Sequence, residues 1–184
     1  MKIIQVDDSY IAMLKEQFPS VMDEKRFHRS HSRKYIGVVF QVNDFHYYAP
    51  FSSPKNKDYK QDGSIKKNSI FGLYMVKDGK EGMKVLLGTI KLINMIPIPE
   101  QFIIEYSIES ETDEKYKSIV ADEFKWISEN QSKITKQAKR LYYFKDNESK
   151  MKNSLNAHIY DAILPFKEIE HFLITGNLIV KKRK

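Results

Sequence analysis

The 184-residue chain is 41% hydrophobic and 30% charged, with seven Gly and six Pro. That balance builds a cored domain and excludes disordered, collagen-like and low-complexity proteins. It has no cysteine, which removes disulfides, thiolate metal sites and a cysteine nucleophile; thirty-one Lys and Arg against 24 Asp and Glu leave a net charge of +7, so a polyanionic partner is expected, with a merely solvated lysine surface as the plain alternative.

The chain reads as one domain, 1–184, strand-rich over 1–99, helix-rich over 110–176, with a basic tail at 181–184. No apolar run approaches the roughly 20 residues of a membrane span, and Asp7 and Asp8 interrupt the first apolar stretch, so a cytoplasmic protein is expected. Lys2 to Val6 is a short strand, and Asp7, Asp8 and Ser9 are caps for a helix bearing Ile11, Leu14 and Phe18. Residues 19–32 are polar and predicted as a loop. Within 25–34 stand Lys25, Arg26, Arg29, Arg33 and Lys34 with no acid.

Tyr35–Val42 and Phe45–Tyr48 flank Asn43-Asp44 and predict a hairpin, with Pro50 ending its second strand. A second basic stretch holds Lys55, Lys57, Lys60, Lys66 and Lys67 against Asp58 and Asp62. Ser69–Val76 and Met83–Leu92 predict another hairpin, and Met95–Pro99, interrupted by prolines, suits a sheet edge. Thr112, Asp113 and Glu114 start a helix whose apolar face is Tyr116, Ile119, Val120, Phe124 and Ile127, leaving Asp122 and Glu123 on a solvated face. Ile134, Ala138, Leu141 and Tyr142 mark a second helix, with Lys133, Lys136, Lys139 and Arg140 opposite them. A third starts at Pro165, carries Ile169, Phe172 and Leu173, and stops at Gly176. Strands followed by helices predict an α+β fold with an antiparallel sheet covered on one face.

Phosphate-loop and dinucleotide fingerprints are missing, as are His-Glu-x-x-His and calcium-loop patterns, and no cofactor is expected. Three stretches carry chemistry-bearing residues. In Ala49-Pro50-Phe51-Ser52-Ser53-Pro54-Lys55, a strand end and a stiff proline place two hydroxyls near an ammonium, an arrangement that suits a phosphate as well as an ordinary Ser-Pro turn. Arg33 and Lys34 enter the first long strand, where a cation stabilises a phosphorane or merely touches phosphates. Tyr10 is either a site hydroxyl or a core residue with one satisfied bond. His28, His31 and His46 are a reserve acid/base set, with His46 on the solvent side of its strand.

Lys34-Tyr35-Ile36-Gly37-Val38-Val39, Tyr48-Ala49-Pro50-Phe51-Ser52-Ser53-Pro54-Lys55 and Leu87-Gly88-Thr89-Ile90-Lys91-Leu92-Ile93-Asn94-Met95-Ile96-Pro97-Ile98-Pro99 occur in that order. The set resembles the ToxN/AbiQ family of type III toxin–antitoxin endoribonucleases, through motifs within residues 2–99. The resemblance implies a compact, highly twisted antiparallel β-sheet core with surrounding helices, related to the Kid/MazF toxin fold. It implies metal-independent RNA cleavage, often at adenine-rich sites, to 2′,3′-cyclic phosphate and 5′-hydroxyl ends. It also implies a repetitive antitoxin RNA of pseudoknot type as partner in a closed protein–RNA assembly, cellular or phage mRNA as substrate, and a role in abortive infection.

By the same resemblance the essential hydroxyl falls on Ser53, the preceding Ser/Thr on Ser52, the lysine on Lys55 and the early tyrosine on Tyr10. The basic residue before the Ile-Gly strand is Arg33 by strict alignment, with Lys34 beside it. A tyrosine found upstream in some members is Arg29 here. Lys25, Arg26, Arg29, Lys57, Lys133, Lys136, Lys139 and Arg140 are expected to bind RNA. The competing readings are a non-catalytic RNA-binding module, with Tyr47, Tyr48, Tyr59 and Tyr74 as stacking platforms, and a scaffold for an acidic protein.

Overall fold

The computed structural model describes residues 1–22, 33–147, 157–176 and 178, without the side chains of 157–159. Lys25, Arg26, Arg29, His28, His31 and the 181–184 tail, all singled out above, lie outside the described residues. Strand β1 (Lys2–Val6) buries Ile3, Ile4 and Val6. Asp7 caps α1 (Asp8–Gln17) as expected, its carboxylate accepting the Ser9 N–H at 2.8 Å. That helix buries Tyr10, Ile11 and Leu14 against the sheet.

The first hairpin is β2 (Tyr35–Val42) and β3 (Phe45–Ser52), turned by Asn43 at φ +50°, a conformation asparagine tolerates. A Cβ on Gly37 would lie 2.0 Å from the Tyr48 ring across the strand pair, so glycine is the residue that lets this aromatic lie flat on β2. Pro50 does not end the second strand as predicted; β3 runs through it to Ser52. The missing N–H is harmless because β3 changes neighbours there, pairing with β6 (Ile96–Pro97) at Tyr47 and Tyr48 and with β5 (Lys84–Ile90) at Phe51 and Ser52. β4 (Leu73–Asp78) completes the second hairpin with β5. An unpredicted three-residue strand, β7 (Ile103–Glu105), pairs with β1. The result is a seven-stranded sheet of order β4-β5-β3-β2-β1-β7, with β6 beside β3 and every pairing antiparallel.

The helices follow. α2 (Glu114–Glu129) lies on β4 and β5, and its N-cap is Asp113 rather than Thr112. Its buried face is Val120, Glu123, Trp126 and Ile127, while Ile119 is exposed. Glu123 is therefore not on a solvated face, which corrects the sequence reading. α3 (Gln131–Lys145) buries Ile134, Ala138, Leu141 and Tyr142 as the spacing predicts, and packs on β2. The short α4 (Ala157–Ala162) was not predicted. α5 (Phe166–Thr175) begins after Pro165 and closes at Gly176. No helix among the described residues is long and apolar enough to cross a membrane.

Beneath α3 and α5 lies a satisfied polar cluster. The buried Glu170 carboxylate accepts hydrogen bonds from the Tyr47 hydroxyl at 2.8 Å and the Tyr142 hydroxyl at 2.7 Å, and Lys167 approaches it at 3.5 Å. Burial and this carboxylate push both phenols above the ordinary tyrosine range. Tyr47 and Tyr48 are core residues, so neither is a stacking platform; Tyr59 and Tyr74 are half-buried.

Candidate active site

Three strand termini meet at one corner of the sheet. The Phe51 N–H donates to the Lys34 carbonyl at 3.2 Å, and the Lys91 N–H donates to the Pro50 carbonyl at 2.9 Å. Ser52 faces Thr89 across β3 and β5. The sheet topology thus brings the entry to β2, the serine loop after β3 and the exit from β5 side by side.

The loop itself is held by a residue the sequence analysis counted merely as an acid among lysines. Asp58, buried in a helical turn over Asn56–Asp58, accepts the Lys55 N–H at 2.8 Å on its carboxylate. Its own N–H returns to the Lys55 carbonyl at 2.8 Å, and its carbonyl accepts the Lys66 N–H at 3.0 Å. These bonds fix the backbone of Lys55 just after the Ser52-Ser53-Pro54 turn. Ser53 is exposed, Lys55 half-buried and Lys57 exposed. The Ser52 and Thr89 hydroxyl oxygens are buried and have no hydrogen-bond partner among the described residues. A buried unsatisfied hydroxyl costs about 1–3 kcal/mol, and such groups are concentrated where a protein does something other than hold itself together.

Arg33 and Lys34, just before β2, are both buried. The Lys34 ammonium lies over the Tyr106 ring, 4.0 Å from its centroid, and 5.9 Å from that of Tyr116. Arg33 is close enough for its charge to bear on Lys91. Lys34 therefore sits against aromatic rings, while the charge of Arg33 bears on Lys91 at the serine corner. Tyr10 does not join it. It is fully buried, stacked on Phe102 at 4.8 Å, and its hydroxyl donates to the Pro97 carbonyl, so the reading as a core tyrosine with one satisfied bond holds for this conformation.

Two further groups went unassigned in the sequence. Lys91, half-buried at the end of β5, is lowered to about 8 by burial and by the positive charges of Lys57, Lys55 and Arg33, with Asp58 opposing. Its signal was present, because it is a lysine set between the buried Ile90 and Leu92. Glu123 of α2 reaches β5 where Gly88 leaves room: a Cβ there would lie 2.5 Å from the Glu123 Oε1 and 2.8 Å from the Ser52 carbonyl oxygen. Burial, then Asp122, raises the Glu123 carboxyl to about 8. No sequence signal marks it.

A second basic surface stands on α3. Lys136, Lys139 and Arg140 are exposed and, with Tyr143, Phe144 and Asn147, line an open cleft of about 490 Å³. Lys133 leans instead toward α2, 5.9 Å from the Trp126 ring centroid.

Compared with known proteins, residues 2–173 match the family model of the toxin ToxN of type III toxin–antitoxin systems. The chain belongs to the ToxN family. Its curated relatives include Endoribonuclease ToxN of Bacillus thuringiensis subsp. kurstaki, 27% identical over 77% of this chain and 66% of the relative, and Endoribonuclease AbiQ of Lactococcus lactis subsp. lactis, 32% identical over 56% and 54%. Endoribonuclease ToxN of Pectobacterium atrosepticum is 26% identical over 77% of this chain and 79% of its own. The matched region thus spans less than two thirds of the first two relatives' length. Among solved structures, AbiQ, a lactococcal anti-phage endoribonuclease of a type III system, aligns with TM-score 0.75 at 22% identity, over 96% of this chain and 98% of AbiQ. A type III toxin selectively inhibited by a non-coding RNA pseudoknot aligns with TM-score 0.75 at 23% identity, over 96% and 97%. These alignments bear out the α+β fold and its antiparallel sheet.

Proposed function

We propose that this ToxN-family protein is an endoribonuclease toxin that cleaves RNA, with adenine-rich sites preferred, at the corner formed by Arg33, Ser52, Ser53 and Lys55. RNA carries its own nucleophile, so the work of the protein is to align the 2′-hydroxyl, phosphorus and leaving 5′-oxygen and to stabilise added negative charge. Attack of the 2′-oxygen on phosphorus as the bond to the 5′-oxygen breaks yields a 2′,3′-cyclic phosphate and a 5′-hydroxyl. The exposed Ser53 hydroxyl, held on a loop that Asp58 staples, orients the scissile group. Arg33 and Lys55 supply the opposing charge. The observation that carries this reading is the meeting of three separate strand ends at one cationic, hydroxyl-bearing corner in a chain of this family.

A non-coding RNA antitoxin of the pseudoknot type is the proposed inhibitor, processed by the toxin and bound in a closed protein–RNA assembly. Lys57, the cleft on α3 and Lys133 are its proposed phosphate contacts, together with Lys25, Arg26 and Arg29. Defence against phage by abortive infection, in the cytoplasm, is the proposed role. The test incubates purified protein, stripped of co-purifying RNA, with A-rich RNA in EDTA beside Ser53→Ala. Cyclic-phosphate ends are expected from the wild type, with about 10²- to 10³-fold slower cutting by the variant. Intact RNA that is nevertheless bound with a steep salt dependence makes the protein a non-catalytic module. Equal cutting by both proteins moves the chemistry away from Ser53, toward His28, His31 and His46.

A further inference from the structure

We propose that Lys91 is a ligand for an RNA phosphate beside the Ser52–Ser53 loop. The inference rests on the reading of this corner as the RNA site, and deepens it by assigning a residue and a proton. The Lys91 backbone is tied to Pro50, two residues before Ser52, and Lys91 is half-buried where β5 leaves the sheet. Arg33 from the entry to β2 and Lys55 and Lys57 from the loop after β3 bear on it, against the single acid Asp58. Beside it, the Ser52 and Thr89 hydroxyls are buried without a partner among the described residues, the condition of groups arranged for a ligand rather than for the fold.

The positive charges of Lys57, Lys55 and Arg33 each raise the cost of charging Lys91. Lys91 bears that cost, being held near 8 by burial and by its three cationic neighbours. A phosphate set among these groups reverses the sign, favouring the ammonium and drawing its pKa back toward the ordinary lysine range. Binding therefore takes up a proton once the free protein has begun to lose it. Above about pH 8 affinity falls with rising pH, approaching tenfold per unit. The same linkage predicts the stability of the free protein. The unfolded chain holds the lysine proton up to about 10.4, so between pH 8 and that value unfolding takes up a proton and stability rises with pH.

The test measures binding of an A-rich single-stranded oligonucleotide carrying 2′-O-methyl sugars, which has no nucleophile and is not consumed. Full-length wild type, Lys91→Gln and Lys91→Arg are compared from pH 7 to 9 and across salt. Wild-type affinity is expected to fall through pH 8. Lys91→Arg keeps the charge without the titration, so it binds at pH 7 and stays flat. Lys91→Gln binds more weakly at pH 7, is flat with pH, and loses about 0.7 from the salt slope. Its melting temperature at pH 7 is expected to equal or exceed that of the wild type, which separates lost contact from lost fold. Wild-type affinity that is level from pH 7 to 9, or Lys91→Gln binding like the wild type at pH 7, overturns the proposal. Unmodified RNA separates the two readings: Lys91-dependent binding without cutting sinks the endoribonuclease and keeps the ligand, and cutting with Lys91-indifferent binding does the reverse.

Discussion

Two buried polar clusters in this molecule are built on opposite principles. Under α3 and α5, Glu170 receives both tyrosine hydroxyls and a lysine, so polar atoms removed from water are repaid by partners. At the ends of β2, β3 and β5, two hydroxyls lack a partner among the described residues, a lysine is desolvated among cations, and a glutamate is raised to about 8. The first arrangement stabilises a fold. The second costs stability, which a protein tolerates where a ligand completes it. The contrast sets the proposed site apart from the scaffold on energetic grounds.

The widest gap between the clusters is expected on removing their carboxylates. Glu170→Ala strands two phenols in the core and leaves Lys167 without its partner, and a loss of about 3 kcal/mol or more is expected by chemical denaturation. Tyr142→Phe, which removes one hydrogen bond and leaves the ring packing, is expected to cost about 1–2 kcal/mol. A Glu170→Ala protein as stable as wild type would erase the contrast from the scaffold side.

Glu123→Gln is the counterpart at the site, with the opposite sign. The carboxyl titrates near 8 in the folded protein and near 4.5 unfolded. Below about 4.5 both states hold the proton and nothing is lost. As pH rises from there through 8, the unfolded chain ionises first, so wild-type stability falls across that window. The neutral amide has no such titration. Glu123→Gln is expected to match the wild type near pH 4 and to exceed it by about 1–3 kcal/mol at pH 8, read as melting temperature against pH. A steeper fall in the variant than in the wild type would place Glu123 among the satisfied groups.

What the sequence revealed follows the same division. The α3 face was legible because Ile134, Ala138, Leu141 and Tyr142 recur at helical spacing, a pattern visible without knowing that β2 covers it. Caps at Asp7 and the turn at Asn43 were legible because their chemistry is local. The serine corner was expected from the resemblance, and its members differ in their settings. Lys34 and Arg33 are neighbours in sequence, and what sets them apart is Tyr106, which follows β7 at the sheet edge. Glu123 reads as a surface acid until Gly88 of β5 is seen to leave room for its carboxylate. Pro50 reads as a stop until β3 is seen to change partners there. In each case the deciding atom belongs to another element, so local pattern could not supply it.

The smallest effect tests where the site ends. The α3 cleft carries Lys136, Lys139, Arg140 and the half-exposed Tyr143, but it lacks the buried, desolvated character of the serine corner. Its lysines are solvated, so each contributes as an ordinary phosphate contact. Lys139→Gln is expected to lower the salt slope of RNA binding by about 0.7, about fourfold in affinity near 0.15 M salt. The cutting rate at saturating RNA should be untouched. In Lys91→Gln, by contrast, the deficit shrinks as pH rises through 8 and the wild-type lysine loses its own charge. A Lys139 deficit that shrinks the same way would mean that the α3 cleft and the serine corner are one continuous binding surface, and that the boundary drawn between solvated and desolvated cations does not divide the molecule by function.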